Sequence, residues 1–139
     1  MFRRKVTTIL ITLISLFLLC SCAETNPSSE AQIGKFIDGY DQITQIKAKE
    51  IMDSEENYII LDVRTEEEYI TGHIINSVLI PLDELSFRLQ EIPNKSQTII
   101  VYCKSGRRSM LACEILETYG YENIYNIGGV VDWPYGLEI

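Results

Sequence analysis

Residues 98–109, TIIVYCKSGRRS, constrain the fold of this chain more than any other stretch. Thr98–Tyr102 is rich in β-branched and aromatic side chains and predicts a short buried strand. A cysteine follows at once, then a tight loop with one glycine, then a helical run over Met110–Tyr119. A strand that turns this sharply into a helix leaves backbone N–H groups unpaired at the helix start. Those donors, with the helix dipole behind them, form a site for an anion. Cys103 placed there is expected to be partly thiolate at neutral pH, because the same donors stabilise its charge. Lys104, Arg107 and Arg108 add positive charge in a chain whose net charge is −8. The stretch reads as a reactive thiolate that handles an anionic substrate.

The N-terminal residues belong to a different element. Arg3, Arg4 and Lys5 precede an apolar run, Val6–Leu19, of the length of a signal-peptide core. The run falls short of the ~20 apolar residues of a comfortable membrane span. Leu19-Cys20-Ser21-Cys22 resembles a bacterial lipobox, so residues 1–21 read as a lipoprotein signal peptide and Cys22 as the lipidated residue. Ordinary signal cleavage and an uncleaved anchor are the alternatives. The expected location is the extracytoplasmic side of a bacterial cell membrane or envelope. Residues 22–39 then supply the lipidated cysteine and a linker of small and polar residues, and 40–139 the folded domain. Residues 1–21 hold three of the 12 Lys+Arg and none of the 20 Asp+Glu, so the remainder carries −11. A chain this acidic does not bind nucleic acid through a basic face.

Two cysteines remain, Cys103 and Cys113. Most of their separation lies along one helix at about 1.5 Å per residue, whereas a disulfide needs Cα atoms within roughly 7 Å. Two free thiols are expected, with Cys113 half-buried on the helix.

Within the domain, Gln42-Ile43 reads as an edge strand and Thr44 as the cap of a helix to about Ser54. Tyr58–Leu61 is a continuous apolar run suited to a central parallel strand. Thr65 caps a short helix, Glu66–Ile70, with Glu68 in capping-box position. Ser77–Ile80 predicts a strand and Glu84–Gln90 a helix. The helix Met110–Tyr119 presents Leu111, Ala112, Ile115, Leu116 and Tyr119 on one face, and Gly120 ends it. Asn123–Ile127 is the last strand, before Gly128-Gly129 and a closing turn at Trp133-Pro134. Strands alternating with helices across short links imply an α/β fold with a mostly parallel sheet and helices on both faces. Ligands of such sheets bind beyond the carboxyl ends of the strands, where Cys103, Asp62-Val63-Arg64 and Gly128-Gly129 converge.

From about Ile43 to Trp133 the chain resembles a single-domain rhodanese, a sulfurtransferase module. The marks are Asp62-Val63-Arg64, Glu67-Glu68-Tyr69 followed by Gly72-His73-Ile74, Pro81-Leu82, Tyr102-Cys103 through Ser109, and Gly128-Gly129 four residues before Trp133. Together and in order they are specific. The resemblance implies a five-stranded parallel sheet flanked by helices, a cysteine that cycles through a persulfide, and no metal or organic cofactor. Ile75-Asn76-Ser77 departs from the Pro-Gly-Ala that often follows Gly-His-Ile in the family.

The reaction expected is transfer of a sulfane sulfur from thiosulfate or a related persulfide donor to a thiol or cyanide, with Cys103 as the carrier. Backbone N–H groups from Lys104, Ser105, Gly106, Arg107, Arg108 and Ser109 hold the anionic states, and both arginines offer forked donors to an oxyanion. Cysteine-dependent phosphatases place five residues between Cys and Arg; here the arginines stand four and five positions after Cys103, and Ser109 occupies the phosphatase position. The tighter loop disfavours phosphatase or arsenate reductase chemistry. Asp62 and Arg64 read as an ion-paired frame, with Arg64 reaching Glu68. Nothing in the sequence pairs His73 with Cys103, and the resemblance places it on a structural turn; Trp133 reads as a core cap. A non-catalytic binding module and a thiol redox or persulfide-sensing lipoprotein remain open. The expected partners are a small anionic donor, a thiol acceptor and the membrane through the lipid, with the protein a monomer.

Overall fold

The computed structural model describes residues 36–37 and 39–139; the expected signal segment, Cys22 and most of the expected linker lie outside them. Six strands form one sheet: β1 (Phe36–Ile37), β2 (Tyr40–Gln42), β3 (Tyr58–Asp62), β4 (Val78–Leu79), β5 (Thr98–Cys103) and β6 (Asn123–Gly129). Their order is β1-β2-β6-β5-β3-β4. β2 to β6 pair in parallel, which makes the expected five-stranded parallel sheet. β1 is an addition. It pairs antiparallel with β2 inside the segment whose composition reads as linker, and Gly39, at φ +90°, sits in the turn between them.

β5 runs between β3 and β6, so neither of its edges meets solvent. The two-residue period of a strand sends its side chains alternately to the two faces. Ile99, Val101 and Cys103 join Leu61, Val63 and Ile124 on one face, and Ile100 and Tyr102 join Ile60 and Ile127 on the other. Helix α1 (Gln45–Ser54) covers the second face with Ala48 and Ile51, and helix α3 (Arg107–Thr118) the first with Ala112, Cys113 and Leu116. Thr44 caps α1 by accepting from Lys47 N at 3.1 Å. Thr65 and Glu68 form the capping box of the short helix α2 (Glu66–Ile70).

Three expectations need correction. Glu84–Gln90 is not an α-helix but two 3-10 turns, Leu85–Phe87 and Leu89–Glu91. The segment between Pro81 and Pro93 is short, and Pro93 forces Ile92 out of helical geometry, so the bonds close over three residues, as in Phe87 N to Glu84 O at 2.9 Å. Helix α3 begins at Arg107, three residues early, because Gly106 takes the left-handed conformation at its head and accepts from Met110 N at 3.2 Å. Its buried face is Ser109, Ala112, Cys113 and Leu116, while Leu111 and Tyr119 are 44% and 46% exposed. The loop sets that phase: Ser109 is pinned over the cysteine, and the helix follows from it. Cys113 is therefore wholly buried rather than half-buried.

Asn76 has φ +62°, the left-handed region, at the position where the family often carries glycine. Asn tolerates this conformation better than other side-chain-bearing residues, so the departure in sequence preserves the turn.

Candidate active site around Cys103

Cys103 ends β5 and α3 begins four residues later, so the intervening loop folds back over the sulfur. Gly106 N–H donates to Sγ at 3.1 Å, and the Cys103 thiol donates to Ser109 Oγ at 3.8 Å. The one Ser109 hydroxyl proton has Gly106 O at 2.9 Å and Gly128 O at 3.4 Å as acceptors beside the thiol, and turns to the sulfur of the thiolate. Burial pushes the Cys103 thiol up, but the backbone N–H groups of Ser109, Ser105 and Gly106, together with the Ser109 hydroxyl, outweigh it and leave the thiol below its ordinary value. The arrangement stabilises negative charge on sulfur with fixed dipoles.

The loop rests on β6. A Cβ at Gly129 would stand 2.6 Å from Lys104 O and 2.9 Å from Ser105 Cα, so the loop lies against bare backbone there. Asn126 is buried, and its Oδ1 accepts from Gly128 N at 3.0 Å, holding the Gly-Gly turn. Its Nδ2 has no partner among the described residues. Gln45 Nε2 donates to Gly129 O at 2.7 Å, tying the head of α1 to the same turn. Sequence reasoning missed Asn126 and Gln45. A signal for Asn126 existed: a residue type depleted in strands, within an apolar run and two positions before a turn glycine.

Asp62 and Arg64 form a buried frame behind the loop. Arg64 Nη2 reaches Asp62 Oδ2 at 2.6 Å and Gly72 O at 2.8 Å, and Arg64 N donates to Asp62 Oδ1 at 2.9 Å. The expected contact of Arg64 with Glu68 is replaced by another. Glu68 takes Arg108 instead, Oε2 to Nη1 at 2.6 Å and Oε1 to Nη2 at 2.9 Å. Arg64 is committed to a carboxylate two residues away and to the carbonyl of Gly72, so Glu68 is left for the arginine that α3 brings across. The Arg108 bonds, with smaller help from Thr65 and Arg64, hold the Glu68 carboxyl down at about 2 against the cost of burial. Arg108 is thereby a fixed cation at the loop, its charge supported first by Glu68 and further by Cys103. Lys104, Ser105 and Arg107 are exposed at the mouth, Gly106 is half-buried and Ser109 fully buried beneath it.

His73 stacks on Tyr69 with ring centroids 3.7 Å apart, and its Nδ1 lies 3.1 Å from Tyr69 O. Its backbone bridges to Glu138, which makes it part of a turn that holds the C-terminal segment. Trp133 packs at the margin of the core beneath α1. Cys103 and Cys113 are free thiols. Burial, with lesser contributions from Glu114 and Cys103, pushes the Cys113 thiol far up, so at neutral pH it is protonated. Among the described residues no three His, Cys, Asp or Glu side chains gather as a metal site requires.

Comparison with known proteins agrees with this fold. The family described as "Rhodanese-like domain" matches residues 44–134. A sulfurtransferase of Allochromatium vinosum is 36% identical over 86 residues, covering 60% of this chain and 79% of its own. The thiosulfate sulfurtransferase PspE of Escherichia coli is 41% identical over 73 residues, 52% of this chain and 70% of the relative. Among solved structures, a rhodanese-like domain protein from Staphylococcus aureus superposes with TM-score 0.64 at 35% identity, covering 70% of this chain and 96% of that one.

Proposed function

Because the chain belongs to the rhodanese-like domain family, we propose that it is a sulfurtransferase that carries sulfane sulfur as a persulfide on Cys103. One observation carries the reading: the Cys103 sulfur lies within a collar of N–H donors from Ser105, Gly106 and Ser109, which depresses its pKa despite burial. The thiolate attacks the outer sulfur of a donor such as thiosulfate. The S–S bond of thiosulfate breaks, sulfite leaves with the bonding pair, and Cys103–S–S⁻ remains. The negative charge stays in the collar throughout, so the same dipoles serve both covalent states. A thiol or cyanide then removes the outer sulfur. The bidentate hold of Glu68 on Arg108 leaves the backbone donors, Lys104 and Arg107 as the groups best placed to meet the oxyanion of the donor.

The proposal extends to an N-terminal lipid on Cys22, supported by the basic start, the apolar run and the lipobox-like Leu19–Cys22. Metabolic labelling with palmitate, lost in Cys22→Ser, tests that part. The sulfur chemistry is tested by the intact mass of the full chain in neutral detergent after thiosulfate. A gain of about 32 Da that cyanide removes and Cys103→Ser lacks is expected. No gain on a folded chain overturns the reading.

A further inference from the structure

The described residues contain eight lysines and arginines, and the protein satisfies six of them internally. Lys47, Lys49, Arg64, Arg88 and Arg108 form ion pairs, and Lys95 Nζ donates to Tyr119 O at 2.6 Å. Lys104 and Arg107 alone among these eight have neither a hydrogen-bond nor an ion-pair partner among the described residues, and both are exposed over Cys103, one in the loop and one at the head of α3. Exposed apolar side chains stand beside them. Met110 and Leu111, 42% and 44% exposed, follow Arg107 by three and four residues and share its stripe of the helix. Val131, 66% exposed, lies two residues past Gly129, whose backbone supports Lys104 and Ser105. A small inorganic anion uses the cations but has no use for the apolar rim. Two free cations set among aliphatic side chains, on a chain of net charge −8, match an acidic polypeptide with apolar anchors. Repulsion from the rest of the surface directs such a partner to this one face.

We propose that the face around the Cys103 loop docks an acidic protein that carries the acceptor thiol. The inference rests on the sulfurtransferase reading for its chemistry. The partner thiol passes its proton to the outer sulfur of Cys103–S–S⁻ and attacks that sulfur as thiolate, the S–S bond breaks, and Cys103 leaves as thiolate. The outer sulfur, with the proton the partner thiol gave it, ends on the partner as R–S–SH, with no net oxidation. The apolar rim seats the partner, and Lys104 and Arg107 attract its carboxylates to the mouth where the persulfide waits.

The test uses the full chain in neutral detergent and two fifteen-residue peptides, each with one cysteine among leucines, one rich in glutamate and the other in lysine. Anisotropy of labelled Cys→Ser forms reads docking without the chemistry, and a persulfide-loaded chain reads transfer. The glutamate peptide is expected to bind and to accept sulfur about ten-fold better than the lysine peptide, with the advantage shrinking as salt rises. Leu111→Ser and Val131→Ser are expected to lower both readouts several-fold while transfer to dithiothreitol stays unchanged. Equal behaviour of the two peptides, or indifference to both variants, overturns the proposal. So does slowing of Cys103 alkylation by phosphatidylglycerol but not phosphatidylcholine without a peptide preference, which gives the face to a membrane, or a dimer lost in Leu111→Ser, which gives it to a second copy. Failure to load sulfur with intact peptide binding refutes the sulfurtransferase reading and not the docking face.

Discussion

Glu68→Gln isolates the ion pair that ties α2 to α3. Glutamine keeps the capping box, since it serves at that position as glutamate does, so the substitution removes charge and little else. The Glu68 carboxyl falls from an ordinary 4.5 to about 2 in the folded protein, chiefly through the Arg108 bonds. A tenfold change in proton affinity corresponds to about 1.4 kcal/mol, so the full lowering sets an upper bound of roughly 3.4 kcal/mol on what the folded surroundings contribute. The pair is partly exposed, 30% and 25% for the two side chains, and solvent screening reduces its contribution to about 1–2 kcal/mol.

Because the folded value is depressed, the contribution is fully present above pH 4.5 and is lost as pH falls through about 2. At pH 3 about two-fifths of the neutral-pH difference between wild type and variant should survive. Urea denaturation at pH 7 and pH 3 measures this, with an expected midpoint difference of about 1 M at pH 7. Combining Glu68→Gln with Arg108→Gln should cost less than the sum of the two single changes, because both remove the same pair. A difference of equal size at both pH values would refute the electrostatic account and leave packing as the cause. No difference at pH 7 would mean that the pair holds Arg108 in place without stabilising the fold.

Gly129→Ala should leave the core intact yet slow persulfide formation by about 100-fold, because its Cβ would lie 2.6 Å from Lys104 O and displace the loop; stopped-flow sulfite release reads the effect. Alkylation of Cys103 by iodoacetamide should show a midpoint below the ordinary thiol value, and Ser109→Ala should move it upward, since that hydroxyl contributes to the lowering. An unchanged midpoint would remove Ser109 from the collar. Cys113 should stay unmodified in the same experiment until the protein unfolds, as burial keeps it neutral. Asp62→Asn should destabilise by about 3–5 kcal/mol, because it leaves the Arg64 guanidinium buried without its counter-charge; a denaturation midpoint close to wild type would show that Gly72 O suffices.

The parallel sheet was legible because its strands are short apolar runs separated by turn residues and helix caps. Such signals act over a few neighbours, and Thr44, Thr65 and Glu68 form the caps their spacing predicts. The two places where secondary structure differs share a cause. The 3-10 turns at Leu85–Glu91 and the early start of α3 are set by what the segments meet, Pro93 in one case and the curled loop in the other. Pro93 stands in the sequence and limits the room for a helix there, whereas the curl of the loop that starts α3 early is not readable from propensity. β1 escaped for a related reason: two residues pairing with the sheet edge leave no period to read.

The site divides the same way. The collar around Cys103 is local, built within seven consecutive residues, and a strand-cysteine-glycine-helix order specifies it almost completely. What holds the collar is not local. Arg108 meets Glu68 across 40 residues, Ser109 meets Gly128 across 19, and Gln45 meets Gly129 across 84. A charge rule applied to the sequence pairs Arg64 with Glu68, yet the fold gives each arginine a different carboxylate, because Asp62 is close enough to claim Arg64 first. That partition has a chemical consequence. It places one arginine at the end of β3 as a fastener and fixes a second beside the sulfur. Arg107, the third, stays uncommitted at the mouth, where an incoming anion or acidic surface meets it before it meets the thiolate.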